Sequence, residues 1–382
     1  MIVYHRWAWG VLLTSAIVAG RPAYAACEGD AANGFTCTPA GPVAIGAVFA
    51  ADSGDARRNI SITLVNELLE EEGEEIGQGA GDALGFDLFA SVLYGNTDQD
   101  TSNIPGYESD TWGGTVGVRW RGVEWFAGAA VDYSTEDADF DNDAGGLNTD
   151  ELGFQVFGTW LPAAVPGLFA TAAVRYASLD IDTSRRFVSA PDSTFNADLV
   201  NVAKGNTGGS RLSLLGGAGY NWVLPAQTVL VMSAWLAYND YAIDGYRETG
   251  ALPQSTDLES GNLVFADDDY STLDGMLSLG LSRTFPTNFG RIVPELSFSY
   301  VHEFESPTRT IDAALVDVLP EDPENRNISF RTYESDEDYF RLGAAVTAEL
   351  NTGTSLFLTY SGTAGHDLRQ EHLVTVGVNH AF

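Results

Sequence analysis

The chain of 382 residues holds a single lysine, Lys204, along with only three methionines and two cysteines. Basic residues are scarce throughout: 19 Lys+Arg stand against 53 Asp+Glu, for a formal net charge of −34. That deficit excludes a nucleic-acid binder, because a phosphate backbone needs a basic footprint. Cys27 and Cys37 have no further metal-type ligands nearby, so in an oxidising compartment they read as one small disulfide loop. No apolar run reaches the roughly 20 residues of a membrane-spanning helix. No Gly-x-Ser-x-Gly elbow occurs either, which removes the serine hydrolases built on that motif. What the chain does have is 45% hydrophobic residues, 11% aromatics and 41 glycines. An acidic disordered tail lacks such a composition.

The start of the chain has the order of a secretory leader. Arg6 precedes the apolar run Ala8 to Ala19, and Ala23-Tyr24-Ala25 gives the small-x-small cleavage pattern. Residues 1–25 are therefore expected to be a signal peptide. Its removal takes away Arg6 and Arg21 and no acids, leaving 17 − 53 = −36. Residues 26–58 are a short Gly/Pro/Ala-rich segment, read as a vestigial passenger or a linker. Within 59–78, Leu64, Val65, Leu68 and Leu69 make one helical stripe amid Glu67, Glu70, Glu71, Glu72, Glu74 and Glu75. A helix and linker are expected over 59–84, stopped by Gly77, Gly79, Gly81 and Gly85.

From Gly85 onward the period is two. Phe86, Leu88, Ala90, Val92 and Tyr94 alternate with more polar neighbours, as do Trp112, Val116, Val118 and Trp120 further on. Twelve such segments occur, near 85–95, 111–121, 124–134, 150–161, 167–179, 210–222, 228–241, 270–284, 291–304, 338–350, 354–361 and 371–382. Short and long links alternate between them without exception. A soluble sandwich has no reason to keep its long loops at one end. A transmembrane barrel with short turns on one side and long loops on the other has. The expected fold is all-β: an up-and-down antiparallel transmembrane β-barrel of 12 strands over 85–382, preceded by one α-helix.

The two faces carry different chemistry. Aromatics such as Trp112, Trp120, Trp125, Tyr133, Trp160, Tyr176, Tyr220, Trp222 and Tyr238 sit near strand ends, where membrane interfaces favour them. On the opposite parity, toward the lumen, fall the charges Arg119, Asp132, Glu151, Arg175, Asp274, Glu295, Arg341 and Glu349. Lumen placement spares an arginine the roughly 2–4 kcal/mol cost of facing lipid at the midplane. Inward glycines such as Gly113, Gly117, Gly128, Gly153, Gly217 and Gly219 are expected to leave room inside.

Several stretches resemble the translocator barrels of autotransporters, the type V secretion systems. Residues 291–304 (RIVPELSFSYVHEF) are similar to that family's "P…Y.HEF" strand, and Asp338 to Gly343 (DYFRLG) to its "YF.LG" strand. The close, from Ser355 through His372 to Phe382, resembles its two final strands. The resemblance implies an outer-membrane location, a helix inside the lumen, and recognition of the last strand, ending on Phe382, by the barrel-assembly machinery. Outer-membrane lipid and lipopolysaccharide are the implied surroundings, and a monomer is expected. The chain departs from the family upstream: only residues 26–58 lie between leader and helix, without solenoid-length repeats. No Asn-Asn pair occurs in 59–78, so the self-cleavage of some members is not carried over.

The sequence carries no motif for a cofactor and none for a catalytic residue. Asp137, Asp139, Asp141 and Asp143 alternate as in a calcium loop, yet Asn142 and Asn148 stand where Gly and Glu belong. A solvated acidic loop explains them better. His302 and His372 fall near the rim, where a surface hydrolase is a minor alternative. A porin-like channel with a cation-preferring acidic mouth is the main alternative to a translocator.

Overall fold

The computed structural model describes residues 26–30, 34–38, 85–100, 106–122, 124–165, 167–189, 199–251, 262–305, 310–316, 327–331 and 337–382. The expected leader (1–25) and pre-barrel helix (59–78) lie outside them. Twelve strands make the main sheet. They are β1 (Gly85–Gln99), β2 (Tyr107–Arg121), β3 (Trp125–Phe140), β4 (Gly145–Trp160), β5 (Leu168–Ser189) and β6 (Leu199–Leu224). The second half comprises β7 (Thr228–Ile243), β8 (Asp268–Arg283), β9 (Gly290–Glu305), β10 (Asp338–Leu350), β11 (Thr354–Ala364) and β12 (Arg369–Ala381). Each pairs antiparallel with the next, and β12 returns to β1 with Val376 opposite Val92. The sheet is a closed barrel, so every strand has two ladder partners and no open edge meets lipid.

Closure turns the period of two into an inside and an outside. On β2, exposed Trp112, Val116 and Trp120 alternate with buried Thr111, Thr115 and Arg119. On β4, exposed Leu152, Phe154 and Val156 alternate with buried Glu151, Gln155 and Phe157. A soluble protein does not leave so many large apolar side chains in water. In a bilayer they meet acyl chains and cost nothing. Aromatics border this belt at both ends. Tyr94 and Trp112 meet ring to ring at 4.7 Å at the end carrying the long loops, and Phe86 meets Trp120 at 6.1 Å at the end carrying the short turns.

The strands run further than the period suggests. The 135–149 link is largely strand: β3 reaches Phe140, β4 begins at Gly145, and Asp141–Asp143 is a 3-10 turn between them. Within 180–209, β5 continues to Ser189 and β6 begins at Leu199, so this pair rises well above its neighbours. The links after β7 and β9 contribute a second antiparallel sheet of four short strands, Tyr246–Arg247, Leu263–Phe265, Thr310–Leu315 and Asn327–Arg331. A separate hairpin, Ala26–Asp30 with Gly34–Thr38, sets Cys27 opposite Cys37 in its register.

Inward glycines do not leave the room the sequence suggested. A Cβ at Gly117 would stand 2.2 Å from the Phe89 ring, one at Gly128 2.4 Å from Phe157, and one at Gly217 2.2 Å from Trp235. Each glycine is the socket for an aromatic ring from the adjoining strand. Gly128→Leu is expected to cost about 1–3 kcal/mol, because overpacking must displace both the ring and its neighbours. Gly216→Leu, on the outer face where nothing lies within 4 Å, should be tolerated. Equal urea midpoints for the two variants would show that the Phe157 ring yields freely.

Candidate functional site: the lumen and its mouth

Three layers fill the lumen wall between the short-turn end and the long-loop end. The first, toward the turns, is aromatic: Phe126, Phe157, Phe169 and Trp235 form a buried cluster with Leu215 and Ala173, joined by Phe89 and Met276. These residues come from β1 and from β3 through β8, so the layer is a curved apolar surface on one side of the pore. Phe89, Phe157, Phe169 and Trp235 each lie across an inward glycine of a neighbouring strand.

The second is ionic, and it reaches down to the turn end, where Asp87, Arg119 and Arg121 stand level with Phe126. Arg119 donates from Nε to Asp87 Oδ2 at 2.9 Å, and Arg121 donates to the same oxygen at 2.7 Å. One carboxylate thus bridges two guanidinium groups on β2. Arg175 donates from Nε to Asp132 at 3.1 Å and also pairs with Glu151, which in turn holds Arg211. That chain of Asp132, Arg175, Glu151 and Arg211 spans β3 to β6, and each member is nearly sealed from solvent. Gly153 makes the approach possible: a Cβ there would stand 2.5 Å from Arg175 Nη2. Arg119 also lies over the Phe126 ring at 5.5 Å, and Arg211 over Tyr241 at 5.6 Å, so these guanidinium groups lie against aromatic faces of the adjoining strands.

The eight lumen charges read from parity all lie on inward positions. Arg119, Asp132, Glu151 and Arg175 belong to the network on β2–β5. Glu349 pairs with Arg291 on the facing strand, and Arg341 approaches Glu371 to 3.6 Å, where Arg369 also binds at 2.7 Å. Asp274 on β8 and Glu295 on β9 are buried as well. Sequence reasoning passed over Asp87, Arg211 and Glu371, although the same parity marks them.

The third layer closes the long-loop end. Tyr246, Leu263, Phe265, Ile311 and Ala313 of the small sheet pack on Tyr107, Phe140, Leu147, Ile181 and Ile243 of the barrel rim. Tyr246 stacks on Phe265 at 4.6 Å, and Tyr241 on Tyr270 at 4.5 Å. Burial holds the Tyr246 phenol well above its ordinary value, so it stays uncharged in this core. Arg185 of β5 binds Glu248 through two hydrogen bonds, 3.0 and 2.6 Å, and Glu248 also accepts the Leu263 N–H at 2.8 Å.

The remaining candidates do not converge. Asp137 and Asp139 face outward on β3, Asp141 and Asp143 lie in the 3-10 turn, and Asp143 pairs with Arg186. Among the described residues no group of three or more His, Cys, Asp or Glu side chains is placed to hold a metal. His302 and His372, both placed near the rim from sequence, are not neighbours. They point outward on β9 and β12 with β10 and β11 between them, His302 against Asp338 at 2.8 Å and His372 against the Tyr360 hydroxyl at 2.9 Å.

A closed twelve-stranded barrel, apolar outside and ionic within, with short turns at one end and long strands and loops at the other, defines an outer-membrane barrel. Residues 88–361 match the family model of the autotransporter beta-domain, and the chain belongs to that family. It is an outer-membrane β-barrel translocator domain. Its relatives include the Outer membrane protein A of Rickettsia rickettsii, 28% identical over 269 residues that cover 69% of this chain and 11% of that protein. The Outer membrane protein A of Rickettsia conorii is 28% identical over 272 residues, 69% of this chain and 12% of the relative. The chain therefore spans only a small part of the length of these relatives. Among solved structures, the translocator domain of the autotransporter NalP from Neisseria meningitidis superposes with a TM-score of 0.60 at 16% identity, covering 87% of this chain and 98% of that one. The beta domain of the Bordetella autotransporter BrkA gives 0.52 at 17% identity, over 77% and 98%. At such identities these two structures share the fold.

Proposed function

We propose that this barrel exports residues of its own N-terminal side, with segment 59–78 lying as a helix in the lumen, residues 26–58 passing to the cell surface, and residues 1–25 serving as the leader. The observation that carries this reading is the division of the lumen wall. One side is the aromatic layer, and around the rest stand Arg121, Arg291 and Arg341, each still partly exposed. A helix with Leu64, Val65, Leu68 and Leu69 on one stripe and glutamates around it complements both surfaces at once. The hairpin register supports a Cys27–Cys37 disulfide in the exported part, since directly opposed strand positions lie within bridging distance.

Outer-membrane lipid and lipopolysaccharide are the proposed surroundings. The proposed assembly partner is the machinery that recognises terminal strands, which would engage β12 and Phe382. The Phe382 ring lies 5.8 Å from Phe86 and its N–H bonds the Phe86 carbonyl at 3.0 Å, so the terminal residue is also the seam of the barrel. No cofactor or catalytic step enters this reading, and a single chain completes the barrel.

Protease shaving of intact cells tests the proposal. A tag at residue 30 should be removed by external protease while the barrel stays intact. A tag that remains protected in intact cells and is cut only after the outer membrane is permeabilised would sink the export reading.

A further inference from the structure

We infer that the extracellular mouth is a gate, shut by the segments 246–251, 262–265 and 310–315 and latched by the Arg185–Glu248 ion pair. The inference goes beyond export, because it concerns the passage of ions and solutes through the barrel. Rim residues at the end of a bare barrel face water. Here Gln99, Tyr107, Phe140, Leu147, Ile243 and Glu303, drawn from strands around the rim, are all buried. For Tyr107, Phe140, Leu147 and Ile243 the cover is the apolar face of the small sheet, which lies across the inner wall rather than beside it.

Polar anchorage of this cap concentrates on the extension of β5 and β6 above the membrane. Lys204 and Thr249 exchange two backbone hydrogen bonds of 2.8 Å, which adds the cap chain to the edge of the wall. Tyr246 lies over Gly205, where a Cβ would approach its ring to 2.3 Å. Glu248 ties the pieces together. Its two oxygens take the Arg185 fork, and one of them also takes the Leu263 N–H from the next cap strand. At 2% exposure Glu248 depends on that guanidinium: without Arg185 it is a buried, unpaired charge that gains by moving to water, and the cap strand moves with it. An apolar lid pinned by a charged clasp is loosened when that clasp is broken, which is what a gate requires.

Planar-bilayer recording tests the gate on the full chain and, because the proposed lumen helix would itself block current, also on the chain lacking residues 26–78. The wild-type protein should pass little current, and Arg185→Ala should raise it severalfold while the barrel keeps its heat-modifiable migration on gels. A Lys204→Cys/Thr249→Cys pair added to Arg185→Ala should restore the low current when oxidised and lose that effect on reduction, with reductant leaving the wild type unchanged. If Arg185→Ala does not assemble, Glu248→Gln supplies the same comparison with the side-chain shape kept. Unchanged current in the latch variant of an assembled barrel lacking residues 26–78 overturns the gate, as does an otherwise wild-type barrel lacking them that already conducts as well as the variant. A protected tag at residue 30 would sink the export reading and leave these currents to be judged on their own.

Discussion

Arg175→Met is expected to destabilise the assembled barrel by about 3–5 kcal/mol, because it removes one partner of a buried ion network and leaves the other members behind. Asp132 and Glu151 both rely on this guanidinium, and Arg211 pairs with Glu151. After the substitution two buried carboxylates share one cation. The loss is larger than that of a single neutral hydrogen bond, about 1 kcal/mol, because the stranded charge keeps its full desolvation penalty. The double variant Arg175→Met/Asp132→Leu should recover much of the stability, since removing both charges removes the penalty with the pair. Denaturant midpoints of the folded barrel, followed by heat-modifiable gel migration, measure both. A single variant within about 1 kcal/mol of wild type would show that water enters the lumen and solvates these carboxylates.

This network also explains where the chain keeps its surplus of acid. Lumen carboxylates are matched by arginines nearly group for group. The excess faces outward above the aromatic belt, where Asp110 and Asp150 accept hydrogen bonds from Tyr94 and Tyr133 at 2.7 and 2.6 Å. Those tyrosines place their rings against lipid and their hydroxyls toward water, which is how amphipathic rings mark an interface. The charge of −34 therefore lies outside the lumen wall, in the barrel's outer collar, the loops and the stretch 26–84, while the wall itself is close to balanced.

The barrel was legible because its two faces meet different solvents, and a period of two records that contrast residue by residue. Strand number, link alternation and the inward parity of Arg119, Asp132, Glu151 and Arg175 followed from it. The upper parts of β5 and β6 were not legible. There Asp180, Asp182 and Ser184 face outward into water while Thr183 and Arg185 face the cap, so both faces are polar and the alternation vanishes. Sockets and rings escaped for a different reason. Gly117 and Phe89 are far apart in sequence and are paired only by register. The cap could not be read at all, since Tyr246, Phe265 and Ile311 look like stray apolar residues in loops until the fold brings them to one core.

The lipid face carries the other large expected effect. On β2, Trp112 and Trp120 mark the two borders of the belt and Val116 stands midway, 61% exposed. Four residues separate Val116 from each tryptophan. At about 3.3 Å per residue and a tilt near 40°, each border lies roughly 10 Å away along the membrane normal, so Val116 sits near the midplane of an apolar band about 25 Å tall. Val116→Arg is therefore expected to cost about 2–4 kcal/mol. Snorkelling cannot carry the guanidinium to either interface without bending the side chain past a tryptophan. Glu108→Arg, on the same face above Trp112, should change stability by at most about 1 kcal/mol, because it already lies in the headgroup region. Guanidinium titrations in phosphocholine bilayers, read by tryptophan fluorescence, give both values. Equal costs at the two positions would contradict the placement of the belt between Trp112 and Trp120, and with it the depth assigned to every strand.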